Sequence, residues 1–96
     1  MSPNNKKKLN IIRVKLDKLD NNLLSLIKSR TDLVKEVLKL KEFKKEIVDQ
    51  KRINFILNKI NGKSKKLKID TKITNRIWKN MIWSFIDFER RNFRKK

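Results

Sequence analysis

Apolar side chains recur at alternating intervals of three and four residues over residues 9–41. The positions on this line are Leu9, Ile12, Leu16, Leu19, Leu23, Leu26, Leu33, Val37 and Leu40. This heptad spacing predicts one helix from about Leu9 to Lys41, on the order of 50 Å long at about 1.5 Å per residue. Such a helix cannot cover its own apolar line, so we expect partners from elsewhere in the chain and from a second copy.

One position on this line is charged. The spacing requires an apolar residue at position 30, where the chain has Arg30. A buried guanidinium costs several kcal/mol unless an anionic group meets it. A lone arginine on such a line can also fix the register of a helix pair or reach the rim with its head group. Of these two interpretations we favour the first, in which the helix directs cations at an acidic small molecule.

A second, shorter helix is predicted after a charged break at residues 42–48. Within the break, Phe43 and Ile47 are the expected apolar anchors. Asp49 has the side chain of an N-cap, which accepts a hydrogen bond from the first turn of a helix. We expect this helix to end at Gly62, because glycine adopts the left-handed conformation at low cost.

The third predicted helix follows a basic linker at residues 63–68 and runs from about Asp70 to Phe93. Its apolar face consists of Ile69, Ile73, Ile77, Trp78, Met81, Ile82, Phe85 and Phe88. Glu89 continues this apolar line at helical spacing, so an acid lies on an aromatic stripe. Trp83 instead lies on a polar line, and we interpret it as a contact with another chain.

The composition fits an all-α chain of three helices, one long, one short and one medium. A length of 96 residues predicts a single domain, residues 1–96, with frayed ends at 1–8 and 94–96. The chain has no cysteine and no histidine, which excludes disulfides, imidazole chemistry and Cys-based zinc sites. We expect no metal, no cofactor and no membrane partner, since no apolar run approaches the roughly 20 residues of a membrane span. A soluble, cytoplasmic protein is the default expectation.

The charge is strongly positive: 28 Lys and Arg residues against 10 Asp and Glu give a formal net charge of +18. Such a balance points to anionic partners, including nucleic acid or an acidic metabolite. Biased nucleotide composition explains most of this charge equally well, because it places lysine at surface positions that have no structural or functional requirement. Position is therefore more informative than number.

Four cations are notable by position. Arg30 and Lys41 are eleven residues apart, so they lie within about 20° of each other on the helix and roughly 16 Å apart along it. Arg13 lies about 26 Å from Arg30 along the axis and is rotated by about 100°. Arg13 therefore cannot share a small ligand with Arg30 of the same straight helix, and it would have to serve a site in a second subunit. Arg52 opens the second helix, where it could also be an ordinary surface residue.

Simpler interpretations exist for the other charged candidates. Lys41 could complement the negative end of the helix dipole. Glu89 could pair with a neighbouring arginine at the helix end. The candidates are Arg90, Arg91 and Arg94.

The joint spacing of these residues resembles the all-helical chorismate mutase family. The resemblance rests on Arg13-x-x-Leu16-Asp17-x-Leu19-Asp20-x-x-Leu23-Leu24-x-Leu26-Ile27-x-x-Arg30, then Lys41, then Asp49-x-x-Arg52, and on Ile77-Trp78 through Glu89. It extends from about Leu9 to Phe93. The family implies an intertwined homodimer with two sites, in which Arg13 reaches into the partner's site. It also implies the rearrangement of chorismate to prephenate, for phenylalanine and tyrosine biosynthesis.

The resemblance assigns a role to each candidate. Arg30, Arg52 and the partner's Arg13 would hold the two carboxylates of chorismate. Lys41 would hold a carboxylate and the ether oxygen. Glu89 stands where many members have glutamine and some have glutamate, and it would hydrogen-bond the same ether oxygen.

The resemblance also places Asp49 beside the ring hydroxyl, chiefly through its backbone. Two positions depart from the mutase pattern. Ile53 stands where many mutases have a glutamate that contacts the ring hydroxyl, and Phe85 stands where many have a serine, with Ser84 one place away. Both departures resemble the isochorismate-pyruvate lyases, which share this fold and give salicylate and pyruvate, so the lyase activity stays open as an alternative.

The implied reaction suits a chain without histidine or cysteine, since the rearrangement needs neither proton transfer nor a covalent intermediate. The protein has to hold a dianion in a compact conformer and stabilise charge on the ether oxygen. Glu89 must carry a proton to donate to that oxygen, so we expect activity to fall as pH rises. A basic helical module that binds nucleic acid, and a coiled-coil adaptor, are the rival interpretations. The first does not explain an arginine at position 30, and the second gives no role to Lys41, Arg52 and Glu89 together.

Overall fold

A computed structural model describes residues 1–94 of the chain as three α-helices and one short 3-10 helix. Helix α1 spans Pro3–Leu40, the 3-10 helix Lys44–Glu46, α2 Gln50–Lys66 and α3 Thr71–Asn92. Strands are absent from residues 1–94. The prediction of an all-α chain with one long, one short and one medium helix is confirmed.

Helix α1 begins six residues before the predicted start at Leu9. The Asn5 amide donates to the Ser2 hydroxyl over 3.1 Å, and the Lys6 amide donates to the Ser2 carbonyl over 2.9 Å. Pro3 occupies the first helical position, where a missing N–H costs nothing. Ser2 and Pro3 thus form a start signal that outweighs the lysines after them. Fraying of residues 1–8 and of residue 94 stays a prediction, and residues 95–96 lie outside the described residues.

The chain divides into two compact units, residues 1–33 and residues 34–96. The first unit consists almost entirely of α1, and no side chain of this helix is buried. On its apolar line Leu19, Leu23 and Leu26 are 58%, 55% and 64% exposed. The helix period is as predicted, but this single chain does not cover the apolar line.

The second unit contains the hydrophobic core, where α2 packs against α3. Four isoleucines are buried: Ile47, Ile53, Ile82 and Ile86. Four partly buried residues pack against them: Val48, Ile56, Leu57 and Phe93. The predicted face of α3 did not include Ile86, and it extends further than the core does, since Ile73 and Ile77 are more than half exposed.

The break between α1 and α2 has a different anchor from the predicted one. Ile47 is buried as expected, and Val48 packs beside it. Phe43 is not an anchor, because 52% of it is exposed. Its ring instead faces the Lys45 ammonium, which lies 5.6 Å from the ring centroid. A cation over the ring face offsets part of the cost of leaving the ring in solvent.

The prediction that α2 ends at Gly62 is wrong, since the helix continues to Lys66. Ser64, only 3% exposed, donates to the Ile60 carbonyl over 2.7 Å and lies 2.8 Å from the Thr74 hydroxyl of α3. This buried hydroxyl pair ties the last turn of α2 to α3. Packing therefore overrides the weak helix propensity of glycine.

The helix stops instead at a left-handed residue, Lys68, with φ of 58°. The Ile69 amide donates to the Ser64 carbonyl over 2.9 Å, and the Lys68 amide donates to the Lys65 carbonyl over 3.1 Å. These two hydrogen bonds form a Schellman motif, which usually places glycine at the left-handed position. Here a lysine adopts that conformation.

The cap of α2 is as predicted, and α3 begins with a cap of the same kind. Asp49 accepts a hydrogen bond from the Arg52 amide over 3.0 Å, and Asp70 accepts one from the Lys72 amide over 2.9 Å. Each aspartate satisfies an amide that has no partner within its own helix. Among the described residues no helix is long and apolar enough to cross a membrane.

Candidate functional site

The centre of the candidate site is an ion pair between Lys41 and Glu89. The Lys41 ammonium donates to a Glu89 carboxylate oxygen over 2.8 Å. The side chains are 16% and 8% exposed. This contact joins the end of α1 to the last turns of α3, across 48 residues of sequence.

The buried face of α3 determines where Glu89 lies. Ile82, Ile86 and Glu89 follow one another at intervals of four and three, and all three are buried. The first two belong to the hydrophobic core. Glu89 therefore extends an apolar line with a carboxylate, whose burial is costly unless a cation meets it.

Lys41 supplies that cation from just beyond the end of α1. Its amide donates to the Leu38 carbonyl over 3.2 Å, which closes the last turn of the helix. A charge-assisted hydrogen bond between two largely buried groups is stronger than a neutral one. The ammonium and the carboxylate thus converge on one point with little competing water.

The predicted alternatives for these two residues are not what the structure shows. Glu89 pairs with a distant lysine rather than with an arginine at the end of α3. Arg91 pairs with Asp87 over 2.8 Å, and Arg94 donates to the backbone carbonyls of Arg91 and Phe93. Lys41 has a specific carboxylate partner, which is more than the complement of a helix dipole.

An open hollow of about 450 Å³ places Lys41 beside Asp49. Its other lining residues are Glu46, Val48, Gln50 and Lys51. The Asp49 side chain is engaged in capping α2. Sequence reasoning did not select Glu46 or Gln50, although Gln50 follows the predicted N-cap and could have been found by its place in the first turn.

Arg52 lies on the first turn of α2 with an exposed side chain. Its guanidinium carbon lies 5.3 Å from the centroid of the Phe55 ring, a cation–π distance. The Lys59 ammonium lies 5.7 Å from the same centroid. The Phe55 ring thus supports the Arg52 head group and limits the directions that it can take.

The remaining predicted site residues lie in both units. Arg13 is exposed and Arg30 is half-buried, both on α1 within residues 1–33. Phe85 is half-buried on α3, one turn before Glu89. Of the predicted set, the structure brings Lys41 into contact with Glu89 and places it at one hollow with Asp49.

Ile53, the first departure from the mutase pattern, is a core residue. It is 7% exposed and belongs to the buried cluster with Ile47, Ile82 and Ile86. Its side chain therefore offers no polar group to a ligand. Within residues 1–94, no group of three or more Asp and Glu residues is placed to hold a metal ion.

The chain is thus an all-helical protein, and its candidate site consists of charged and hydrogen-bonding side chains. A comparison with family sequence patterns matched chorismate mutase type II over residues 12–90, which is most of the chain. The chain belongs to the chorismate mutase type II family. Comparisons with curated proteins and with solved structures gave no significant match.

Proposed function

We propose that this protein is a chorismate mutase, an isomerase that rearranges chorismate to prephenate in phenylalanine and tyrosine biosynthesis. The observation that carries the proposal is the Lys41–Glu89 contact, in a chain that belongs to the family. In the family pattern these two positions act on the same atom, the ether oxygen of the substrate. Two groups 2.8 Å apart can both reach one such atom.

The chemistry asks for little beyond shape and charge. One C–C bond forms and one C–O bond breaks within a single molecule, and negative charge develops on the ether oxygen. The Lys41 ammonium stabilises that charge, and it does so more strongly because the site is largely shielded from water. Fixed cations around the two carboxylates select the compact conformer that reacts.

Glu89 takes part in this proposal in its protonated form. An ionised carboxylate would repel the developing charge, whereas a carboxylic acid donates a hydrogen bond to it. The substrate oxygen would then replace Glu89 as the acceptor of the Lys41 hydrogen bond. The buried position of Glu89 on α3 supports this arrangement, because it keeps the acid at the place where Lys41 points.

The arginines complete the proposed site. Arg30 and Arg52 would bind the substrate carboxylates, since a guanidinium pairs with a carboxylate through two parallel hydrogen bonds. Arg13 would come from a second copy, so we propose an intertwined homodimer of single domains. The exposed apolar line of α1 supports a second copy, because most of the leucines on that line are more than half exposed. A cytoplasmic location is part of the same proposal.

A lyase that converts isochorismate to salicylate and pyruvate is the second candidate. The specific observation in its favour is Ile53. This buried core residue stands where many mutases have a glutamate that contacts the ring hydroxyl. Phe85 at the position of a serine points the same way. Both reactions proceed without a catalytic histidine, so product identity has to decide between them.

The experiment that tests the proposal is product identification with the purified protein. We expect prephenate from chorismate; salicylate and pyruvate from isochorismate would identify a lyase instead. Lys41→Ala should abolish turnover, whereas Lys44→Ala, a matched change at an exposed neighbour, should retain it. If neither substrate is converted, the enzyme proposal fails. Binding to nucleic acid that persists at high salt would then favour the basic helical module.

A further inference from the structure

A second hollow lies between the last turns of α1 and the end of α3, entirely within residues 34–96. Its volume is about 340 Å³. The apolar part of its lining is Leu38, Phe88 and Phe93, and the cationic part is Lys35, Lys39 and Arg94. None of these residues belongs to the candidate site described above.

The apolar floor of the hollow is held in place by the fold. Leu38, Phe88 and Phe93 are half-buried, and Phe93 packs against the hydrophobic core. The Asn92 side chain, which also lines the hollow, donates to the Phe88 carbonyl over 2.8 Å. Two aromatic rings on a fixed backbone form a surface that a flat hydrocarbon ring can cover.

The rim of the hollow is positively charged. Lys35 and Lys39 are one turn apart on α1, and Arg94 follows the end of α3. Within the part of the chain that the structure describes, no Asp or Glu lines this hollow. The nearby acids of α3 are engaged elsewhere, Asp87 with Arg91 and Glu89 with Lys41.

We propose that this hollow binds a small aromatic carboxylate: one hydrocarbon ring on the Phe88 and Phe93 floor, with its anionic group beside the Lys35 and Arg94 head groups. Small-molecule sites combine an apolar lining with a few polar groups, and their volumes start at about 300 Å³. An ammonium group on the ligand is disfavoured, because Lys35 and Arg94 would repel it. The site does not depend on the proposed catalytic activity.

Calorimetric titration with 3-phenylpropionate tests the proposal at low ionic strength. We expect a dissociation constant on the order of 1 mM, since so small a ligand gains little per atom. Two further compounds separate the ring from the charge: propionate lacks the ring, and 3-phenylpropylammonium carries the opposite charge. Neither should bind measurably. Equal binding of either compound, or no binding of 3-phenylpropionate, overturns the proposal.

Paired variants locate the ligand. The double substitution Lys35→Ala/Arg94→Ala should weaken binding by about fivefold, as expected for two partly screened charges. The matched double substitution Lys79→Ala/Arg90→Ala removes the same charge from exposed positions outside the hollow and should leave binding unchanged. Equal weakening in both would indicate bulk attraction and overturn the proposal.

A third variant separates this hollow from the proposed catalytic site. Arg52→Ala should leave 3-phenylpropionate binding unchanged, because Arg52 does not line the hollow. Loss of binding in Arg52→Ala would place the ligand at the catalytic site and overturn the proposal. The same variant should slow chorismate turnover, so failure of the function proposal and failure of this one give different results.

Discussion

Glu89 and Lys41 are two opposite charges in an environment where either one alone would be costly. Their side chains are largely buried, and the only hydrogen bond recorded for either terminal group within residues 1–94 is the one between them. Arrangements of this kind contribute little net stability, because desolvation offsets the attraction. The pair is therefore better explained by what it offers a ligand than by what it offers the fold.

The hydrogen bond that Glu89 donates in this proposal is the first feature to test at this scale. Glu89→Gln keeps a neutral donor of the same size, so we expect kcat to stay within about tenfold of that of the unmodified protein. Glu89→Leu has a similar volume and no donor, and it should lower kcat by about 100-fold or more. Equal losses of kcat in the two variants would contradict this role.

Stability should respond to the same pair in a different way. Lys41→Met leaves the Glu89 carboxylate buried without its cation, and we expect it to lower the free energy of unfolding by about 2 kcal/mol. Adding Glu89→Leu removes the stranded charge and should recover most of that loss, while turnover stays abolished. Urea denaturation and an activity assay measure the two effects. A double variant as unstable as Lys41→Met would show that the loss comes from packing instead.

Among the elements, α2 carries its glycine at a position that does not need one. Gly62 is inside the helix, and a Cβ added there would meet no atom within 4 Å. Lys68 holds the left-handed position that favours glycine. Gly62→Ala should raise the free energy of unfolding by about 0.5–1 kcal/mol, through lower entropy of the unfolded chain.

Lys68→Gly should also stabilise, by up to about 1 kcal/mol, because it relieves the left-handed strain. Thermal denaturation of the two single variants and of the combined one measures these increments. Gly62 lies inside α2 and Lys68 lies just beyond its end, so we expect the two effects on stability to add approximately. Destabilisation by Lys68→Gly would mean that the lysine side chain itself holds the turn.

The errors of prediction in the helices have physical causes that differ from place to place. Asp49 acts locally, by capping an amide three residues ahead, so the local sequence was enough to find it. Gly62 signals a helix end locally, but the buried contact between Ser64 and Thr74 outweighs it, and that contact depends on α3. Phe43 is apolar but about half exposed, and Ile47 and Val48 are the residues of this segment that join the core.

The candidate site shows the same limit. Helix geometry predicted that Arg30 and Lys41 lie on one face of a single helix, because the rotation per residue of a helix is known. It could not bring Glu89 to Lys41 across 48 residues, and only the family resemblance assigned the two residues to one atom of a ligand. The aromatic stripe of α3 identified Glu89 as unusual. Its partner was then a question of tertiary packing, which spacing does not encode.

For the whole molecule, the question is what covers α1. None of its side chains is buried, and the leucines of its apolar line from Leu16 to Leu33 are each more than half exposed. If a second copy covers this line, each site takes Arg30 from one chain and Arg13 from the other. Mixing Arg13→Ala and Arg30→Ala chains after joint refolding should then restore about one quarter of the activity, since half of the dimers are mixed and each has one intact site.

A matched mixture controls this result. Arg30→Ala and Lys41→Ala remove residues that the proposal assigns to the same site from the same chain, so their mixed dimers contain no intact site. That mixture should stay inactive. Recovery in both mixtures would indicate some other exchange, and recovery in neither, with mixed dimers confirmed by mass spectrometry, would contradict a site shared between chains.

The long separation between Lys41 and Glu89 also has a consequence in time. At a synthesis rate of about 5–20 residues per second, the ribosome adds Glu89 about 2–10 s after Lys41, since 48 residues separate them. The helical turns around Lys41 can form within microseconds, which is much faster than the synthesis of the segment that ends with Glu89. The Lys41–Glu89 ion pair can therefore form only after the helical turns around Lys41 have had time to form. An arrested nascent chain that ends before Glu89 would contain all of α1 and α2 and still lack the charge pair.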